Sequence, residues 1–316
     1  MAGCLSLILG PRTTYAAEQL IAVFSAEAAP YREAFRAFQE GLTQKRVDVQ
    51  IHEHVLREGG QSERLLSEIR QRQPSLVVTL GSSATTLAHA EIKTAPIVFC
   101  MVLNPQAAGL VQSMQSSGNN LTGASLDIPV KVQLEALQSV VPTVKRVGVF
   151  YNPSETEKVV QPAARIASGM GLELVAIPVA NADQLQGVAS TLRSRQIDAL
   201  WSVADSTVFA SNRSVQFLIR QTVEARIPFM GLAPDFVKAG ALLALSVDYK
   251  DIGLQCADQA AQVLRGSAPS SLPVAVPRKV TLHINPTAAR TIGVTVPKSV
   301  LDKAVVYGSV AHPVTF

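Results

Sequence analysis

Hydrophobic positions along this chain fall into short continuous runs that alternate with amphipathic stretches. The runs Leu76–Leu80 and Pro96–Leu103 are each too short for a membrane span, and each ends abruptly in small or polar residues. Between them, Gly81-Ser82-Ser83 opens a stretch whose apolar residues recur at helical spacing. Continuous β-branched runs bounded by turns are typical of strands that are buried on both faces. The pattern therefore predicts a strand, a helix and a second parallel strand.

The same alternation continues on both sides of this unit and begins again after Ser125–Pro129. Each half contains about five predicted strands separated by amphipathic helices, which is typical of a parallel sheet covered on both faces. We therefore predict the α/β class, with two Rossmann-like three-layer lobes joined by a hinge. The predicted strands are Leu20–Ser25, Val47–Val55, Leu76–Leu80, Pro96–Leu103 and Leu121–Ser125, and then Arg146–Tyr151, Glu173–Pro178, Ala199–Ala204, Pro228–Gly231 and Leu242–Val247.

A long predicted helix, Asp248–Arg265, and two short β-like stretches follow these strands. We expect the chain to cross between the lobes near Ser125–Pro129, near Val247–Asp248 and within Leu282–Pro286. These crossings assign residues 18–125 and about 248–282 to the N-terminal lobe, and residues 126–247 and about 283–308 to the C-terminal lobe. Crossings of this kind form a hinge that can close around a ligand.

Residues 1–17 predict a truncated secretory leader. A short apolar stretch, Cys4–Leu9, precedes Thr14-Tyr15-Ala16, which offers small residues where a signal peptidase cleaves. The basic segment that normally opens a leader is missing, which is explained if the natural start lies upstream. A cytosolic N-terminus without a leader is the rival interpretation. Under the first interpretation the protein is exported and its mature chain begins near Ala17.

Composition excludes several classes of partner. The chain has 316 residues, of which 47% are hydrophobic and 16% charged, and its net charge is +4. Its basic residues are spread rather than clustered, so we expect no nucleic-acid partner. None of the three cysteines, Cys4, Cys100 and Cys256, lies in a CxxC pair or at metal-binding spacing from histidines. We expect no metal and no cofactor, and we interpret Cys100 and Cys256 as small buried hydrophobic residues that need no disulfide.

The motifs that anchor common enzyme classes are missing from the sequence. Gly81-Ser82-Ser83-Ala84 lacks the second glycine of a nucleophile elbow. There is no Walker loop, no GxGxxG after a strand and no pair of carboxylates at general acid–base spacing. We therefore expect no catalytic residues, and an enzyme of unrecognised type is the least favoured alternative.

Ligands of open α/β sheets bind in the crevice beyond the carboxyl ends of the strands. The helix start at Ser82 and Ser83 would offer N–H groups and hydroxyls to a carboxylate. We expect Asp205 to pair with an ammonium group from the opposite lobe, and an aromatic ring to stack on Tyr151 or Phe209. Helix capping is the alternative role for these polar residues. The candidate ligand-binding residues are Ser25, Ser82, Ser83, Asn104 and Ser125 in the first lobe, with Tyr151, Asn152 and Asp205 in the second.

Several short motifs occur in an order that extends from about Leu20 to about Lys303. They are Pro96-Ile97-Val98-Phe99, Asn104-Pro105, Ala108-Gly109-Leu110-Val111, Asn120-Leu121-Thr122-Gly123, Lys145-Arg146-Val147-Gly148-Val149, Tyr151-Asn152-Pro153, Phe236-Val237-Lys238-Ala239-Gly240-Ala241 and Ile284-Asn285. This ordered set resembles a family of ABC-transporter substrate-binding proteins that includes tryptophan- and tyrosine-binding members. The resemblance implies the type I periplasmic-binding-protein fold, no catalysis, and delivery of a small solute to a membrane permease.

The chain departs from the pattern of this family at two places. Asn104 stands where the family usually has Asp, and Ser116–Asn119 stands where the family has an Arg-Pro-Gly-Gly loop. The loop change affects a surface turn, whereas the change at Asn104 removes a charge near the expected cleft.

These observations favour the extracytoplasmic, periplasmic solute-binding component of an ABC importer. We expect a monomer that binds a small carboxylate-bearing solute between its lobes, namely an amino acid, with aromatic amino acids among the candidates. The expected partners are this solute and an ABC permease. The alternative is a ligand-sensing clamp that presents its closed form to a sensor protein instead of a permease.

Overall fold

The structure is a computed structural model that describes residues 17–56 and 61–307. The predicted leader, apart from Ala17, lies outside the described residues. The first part of the chain contains β1 (Glu18–Phe24), α1 (Ala29–Gln44), β2 (Val49–Val55), α2 (Gln61–Arg72), β3 (Leu76–Leu80), α3 (Ser82–Glu91), β4 (Ile97–Val102) and β5 (Leu121–Ser125). Within the described ranges, these strands form a five-stranded parallel sheet in the order β2-β1-β3-β4-β5.

The rest of the described chain contains the strands of a second sheet, several helices that pack on it, and the helix Tyr249–Leu264, which packs on the first sheet. Its elements are α4 (Val130–Val140), β6 (Arg146–Tyr151), α5 (Pro153–Gly169), β7 (Glu173–Pro178), α6 (Ala182–Ala189), β8 (Ala199–Trp201), α7 (Asn212–Ala225), β9 (Phe229–Gly231), α8 (Pro234–Ala239), β10 (Leu243–Val247), α9 (Tyr249–Leu264), a short 3-10 turn (Pro269–Ser271), β11 (Val280–Ile284), α10 (Pro286–Ile292), α11 (Lys298–Leu301) and β12 (Val305–Val306). The strand order is β12-β11-β10-β9-β8-β6-β7, and β10 and β11 are antiparallel. The predicted α/β class with two lobes is confirmed.

The first sheet is buried on both faces because its strands are continuously apolar. Leu20, Ala22 and Phe24 of β1 lie in one apolar cluster with residues of α1 and α9. The alternate residues Ile21 and Val23 lie in a separate cluster with residues of α2 and α3. Successive side chains of a strand point to opposite faces, so the two clusters form a layered arrangement of helices, sheet and helices.

Helix α9 is part of the first core, although the strands before and after it belong to the second sheet. Its residue Gly253 lies against α1, where an added Cβ atom would overlap the carbonyl of Ala34 and come within 2.9 Å of the Cβ of Ala37. Gly41 of α1 likewise lies against Ala257 of α9. Small residues on both helices therefore allow this close contact.

The chain returns to the second sheet slightly earlier than the sequence predicted. Ala275 still forms a bridge with Ala124 at the end of the first sheet, whereas Val280 pairs with Val247 in the second. The last crossing therefore lies between Ala275 and Val280, upstream of the predicted Leu282–Pro286. The other lobe boundaries stay predictions.

A disulfide between Cys100 of β4 and Cys256 of α9 corrects the sequence interpretation. Both residues are buried, as predicted, but they are joined across a sequence separation of 156 residues. Their Cα atoms lie 6.0 Å apart, which is within the usual range for a disulfide. The sequence could not predict this pair because only the packing of α9 on the first sheet brings the two cysteines together.

Two kinds of feature are absent from the described part of the chain. None of its groups of His, Cys, Asp and Glu side chains has three or more members placed to hold a metal ion. None of its helices combines the length and the apolar character that crossing a bilayer requires.

Candidate functional site

The turn that follows β3 presents hydrogen-bond donors at the carboxyl edge of the first sheet. Gly81 has a φ of +90°, a conformation that favours glycine. An added Cβ atom at this position would overlap the hydroxyl of Tyr31 and lie 2.7 Å from the Oγ of Ser25. A side chain at residue 81 is therefore excluded by both the backbone and its neighbours.

The start of α3 is capped from another strand instead of by its own residues. The Oγ of Ser25, which follows β1, accepts a hydrogen bond of 2.9 Å from the backbone N–H of Ala84. Ser82 and Ser83 are exposed, and neither their backbone N–H groups nor their hydroxyls have a hydrogen-bond partner within the described ranges. Free donors at the positive end of a helix dipole favour an anion. We call the segment Gly81–Ser83 the donor turn.

A second turn lies at the ends of β4 and β5. Asn104 has a φ of +49°, and its backbone N–H donates to both carboxylate oxygens of Asp127 at 3.0 and 2.9 Å. Ser125 is fully buried, donates to the carbonyl of Val102 and accepts from the N–H of Asp127. Ser125 therefore shapes this turn and presents no free hydroxyl to a ligand. Leu103 is 44% exposed beside it.

In the second lobe, Tyr151 ends β6 and Asn152 follows it, and the two residues have different surroundings. Tyr151 is half-buried, and its hydroxyl has no partner among the residues that the structure describes. Asn152 is buried, and its Oδ1 caps α5 by accepting from the N–H of Ser154 at 2.8 Å. Its Nδ2 donates to the carbonyl of Ala180 and to the hydroxyl of Thr207. Tyr151 remains available to a ligand, whereas the Asn152 side chain is occupied.

Asp205 has a structural environment that differs from the predicted one. Its side chain is 2% exposed, and its Oδ1 accepts from the N–H groups of Thr207 and Val208 at 3.0 and 2.9 Å. Its Oδ2 accepts from the N–H of Asn152 and the hydroxyl of Thr156, both at 2.6 Å. A carboxylate has about four lone-pair positions, and four donors already fill them. The ammonium role predicted for Asp205 therefore has no free acceptor in this arrangement.

The aromatic residues Phe209 and Trp201 have different environments. Phe209 is half-buried, and its ring makes an edge contact with Phe236 at 5.4 Å between centroids. Trp201 is 1% exposed and donates from its indole N–H to Gln133 at 2.8 Å, so it is part of the core. Phe209 thus keeps one partly open face, whereas Trp201 does not.

The candidate residues form three separate groups. Ser25, Ser82 and Ser83 share the donor turn, Asn104 and Ser125 share the turn of Asp127, and Asn152 is joined to Asp205. Within the described residues, no hydrogen bond joins a candidate of the first lobe to one of the second.

Sequence reasoning missed two polar residues at this edge. Burial raises the pKa of the Asp127 carboxyl, and hydrogen bonding by the Asn104 N–H and the Ser125 hydroxyl opposes this shift. Burial also raises the pKa of Tyr249 at the start of α9, with the charges of Glu33 on α1 and Asp235 on α8 adding to the effect. The sequence did indicate that Asp127 could lie at this edge, because the residue comes two positions after a predicted strand end.

Comparison with known proteins identifies relatives over most of the chain. A family model described as ABC transporter substrate binding protein matches residues 21–307. A tyrosine-binding protein of Clostridioides difficile is 25% identical over 223 residues, which are 70% of this chain and 64% of the relative. The match therefore spans less than two thirds of the length of that curated relative.

Solved structures share the fold. A ligand-free, open substrate-binding protein with adhesive properties from Clostridium difficile matches with a TM-score of 0.75 at 22% identity, over 92% of this chain and 99% of that chain. An ABC domain from Streptococcus pneumonia in complex with L-Trp matches with a TM-score of 0.66 at 22% identity, over 92% of this chain and 100% of that chain. These similarities confirm the predicted type I periplasmic-binding-protein architecture.

The matched family comprises solute-binding proteins without enzymatic activity, which agrees with the absence of catalytic motifs from the sequence. The match begins within β1 and ends immediately after β12, so it includes both sheets and α9. The chain belongs to the ABC transporter substrate-binding protein family.

Proposed function

We propose that this protein is the extracytoplasmic solute-binding component of an ABC importer and that its solute is an aromatic amino acid. The donor turn is the observation that carries this proposal. It places two N–H groups and two hydroxyls without partners in the described structure at the start of α3. This edge of the sheet is where ligands of open α/β folds bind. A carboxylate is the group that suits these donors.

The second lobe offers apolar surface for a side chain. Tyr151 at the end of β6 and Phe209 between β8 and α7 are half-buried aromatic residues, and Leu103 is an exposed apolar residue of the first lobe. Aromatic pairs contribute about 0.5–1.5 kcal/mol beyond the burial of their area. The tyrosine-binding relative and the L-Trp complex of a protein with this fold support the same class of solute.

We propose a smaller set of ligand-contact residues than the eight candidates from the sequence. Ser82, Ser83, Asn104 and Tyr151 stay in the proposed ligand-contact set. Ser25 positions the donor turn, because its hydroxyl already accepts from Ala84. Ser125, Asn152 and Asp205 are assigned supporting roles, because their polar atoms are held by intramolecular hydrogen bonds.

A charge placed in the donor turn tests the proposal. In Ser83→Asp, the new carboxylate should repel a ligand carboxylate, while its position in the first turn should favour the helix. We expect calorimetry to show wild-type binding of L-tyrosine, L-tryptophan or L-phenylalanine and at least a tenfold loss in the variant, or about 1.4 kcal/mol. Thr86→Asp, an exposed position further along α3, is the matched control and should change affinity less than threefold. Equal affinity in Ser83→Asp and the wild type would refute the carboxylate site.

The importer role needs a second experiment. A strain that lacks this protein should lose uptake of the solute, and the wild-type gene should restore it. The mature protein recovered from that strain should begin near Ala17. Solute binding together with unchanged uptake would instead favour the ligand-sensing clamp.

A further inference from the structure

One acidic side chain at the carboxyl edge of the first sheet has no cationic partner. Both oxygens of Asp127 accept from the backbone N–H of Asn104, and the Ser125 hydroxyl is a further neighbour that lowers the pKa of this carboxyl. No Lys, Arg or His of the described ranges forms an ion pair with Asp127. Both of these neighbours are neutral, and they leave lone-pair positions of the carboxylate unfilled.

Asp205 and Asp251 are buried and compensated by their neighbours, whereas Asp127 is half-buried. Asp205 accepts from four donors. Asp251 lies within 3.1 Å of Arg278 and 3.7 Å of Lys279. Burial of a charge without a partner is costly, and the raised pKa of Asp127 reflects that cost. Asp127 therefore has a capacity to bind a cation that the described residues do not use.

The position of Asp127 relative to the donor turn fits one class of ligand. The donor turn follows β3 and Asp127 follows β5, and β4 lies between these two parallel strands. Two strand spacings amount to about 9.5 Å. In an α-amino acid the ammonium nitrogen and the carboxylate oxygens are about 3 Å apart. One hydrogen bond of about 3 Å at each end brings the total span to about 9 Å.

We propose that Asp127 binds the ammonium group of the solute, so that the first lobe alone holds both charges of an α-amino acid and the second lobe contacts its side chain. This inference rests on the proposed amino-acid function and replaces Asp205 as the cation partner. It also accounts for Asn104, because the neutral residue there orients Asp127 through its N–H and adds no second negative charge.

Three probes and one substitution test the proposal. The probes are L-tyrosine, its analogue without the amine, 3-(4-hydroxyphenyl)propionate, and its analogue without the carboxylate, tyramine. Calorimetry on the wild type should show L-tyrosine binding at least tenfold more tightly than the propionate. Asp127→Asn should lose at least tenfold in affinity for L-tyrosine and tyramine, and less than threefold for the propionate. Asp302→Asn, an exposed acid, is the control and should match the wild type.

The outcomes separate this proposal from the proposed function. If Asp127→Asn binds L-tyrosine as tightly as the wild type does, the role of Asp127 is overturned and the amino-acid function stands. If the wild type binds the propionate as tightly as L-tyrosine, the ammonium site is overturned as well. If no probe with an ammonium group binds the wild type, both proposals fail. Should Asp127→Asn not fold, Asp127→Ser keeps an acceptor for Asn104 and carries the same comparison.

Discussion

Substitution of Asp205 by Asn separates a structural role of this residue from a ligand-binding one. The amide keeps one oxygen, which can still accept from the N–H groups of Thr207 and Val208. The amide nitrogen then faces the N–H of Asn152 and the hydroxyl of Thr156, which now donate to Oδ2. The hydroxyl can rotate and accept, but the N–H cannot. One buried backbone N–H is left without an acceptor.

The size of the effect follows from this count. A buried donor without a partner costs about 1–3 kcal/mol, and hydrogen bonds to a charged group contribute about 1.5–3 kcal/mol each. We therefore expect Asp205→Asn to lower the free energy of unfolding of the second lobe by about 2–4 kcal/mol. For a lobe of this size, each kcal/mol corresponds to roughly 2–4 °C, so the midpoint should fall by roughly 5–15 °C.

The chain contains a single tryptophan, and its fluorescence reports on the lobe that contains Asp205. Trp201 ends β8 in the second sheet and is 1% exposed. Its fluorescence during thermal or urea unfolding should follow the second lobe selectively. Affinity for the solute, measured well below the midpoint, should change less than threefold in Asp205→Asn. A variant with the wild-type midpoint and a tenfold loss of affinity would refute this reasoning and restore the ammonium role to Asp205.

Three further substitutions have defined outcomes. Burial raises the pKa of Asp127 in the folded state, so its neutral form is favoured there, and this contribution to stability is lost as the pH rises through that pKa. Asp127→Asn should therefore raise the unfolding midpoint of the ligand-free protein at pH 7, and the difference should shrink toward pH values of about 4. Gly253→Ala should destabilise the first lobe by about 1–3 kcal/mol in urea unfolding, because α9 must move away from α1. Gly187→Ala, where an added Cβ meets nothing within 4 Å, should cause no such loss. Gly81→Ala should distort the donor turn and weaken solute binding at least tenfold by calorimetry, whereas unchanged affinity would show that the turn does not contact the solute.

Most of the fold could be predicted from local patterns of apolar and turn residues in the sequence. Buried parallel strands are continuous apolar runs, and glycine, serine and asparagine mark the turns after them, so β3, α3 and β4 lie close to their predicted positions. The same alternation of predicted strands and helices begins again after Ser125–Pro129, and this repetition predicted the second lobe. The donor turn was predicted for the same reason, since Gly81 and the serines after it adjoin the end of a clear strand.

The roles of individual polar residues were less predictable, because the sequence does not show how many hydrogen bonds each side chain makes in the folded protein. Asp205 and Asp127 both follow strand ends, and nothing local distinguishes them. The structure surrounds the first with four donors and gives the second fewer. The side-chain polar atoms of Asn152 and Ser125 are likewise hydrogen-bonded to neighbouring residues.

Hydrophobic periodicity and turn residues act over a few positions of the chain, so the sequence alone was enough to predict the class of fold, the two lobes and the family. Which strands and helices meet depends on three-dimensional packing. The return of α9 to the first sheet pairs Cys100 with Cys256. The adjacency of β3, β4 and β5 brings the donor turn and Asp127 to one edge. Burial and hydrogen-bond saturation depend on such contacts between distant residues, which is why the sequence alone could not distinguish Asp205 from Asp127.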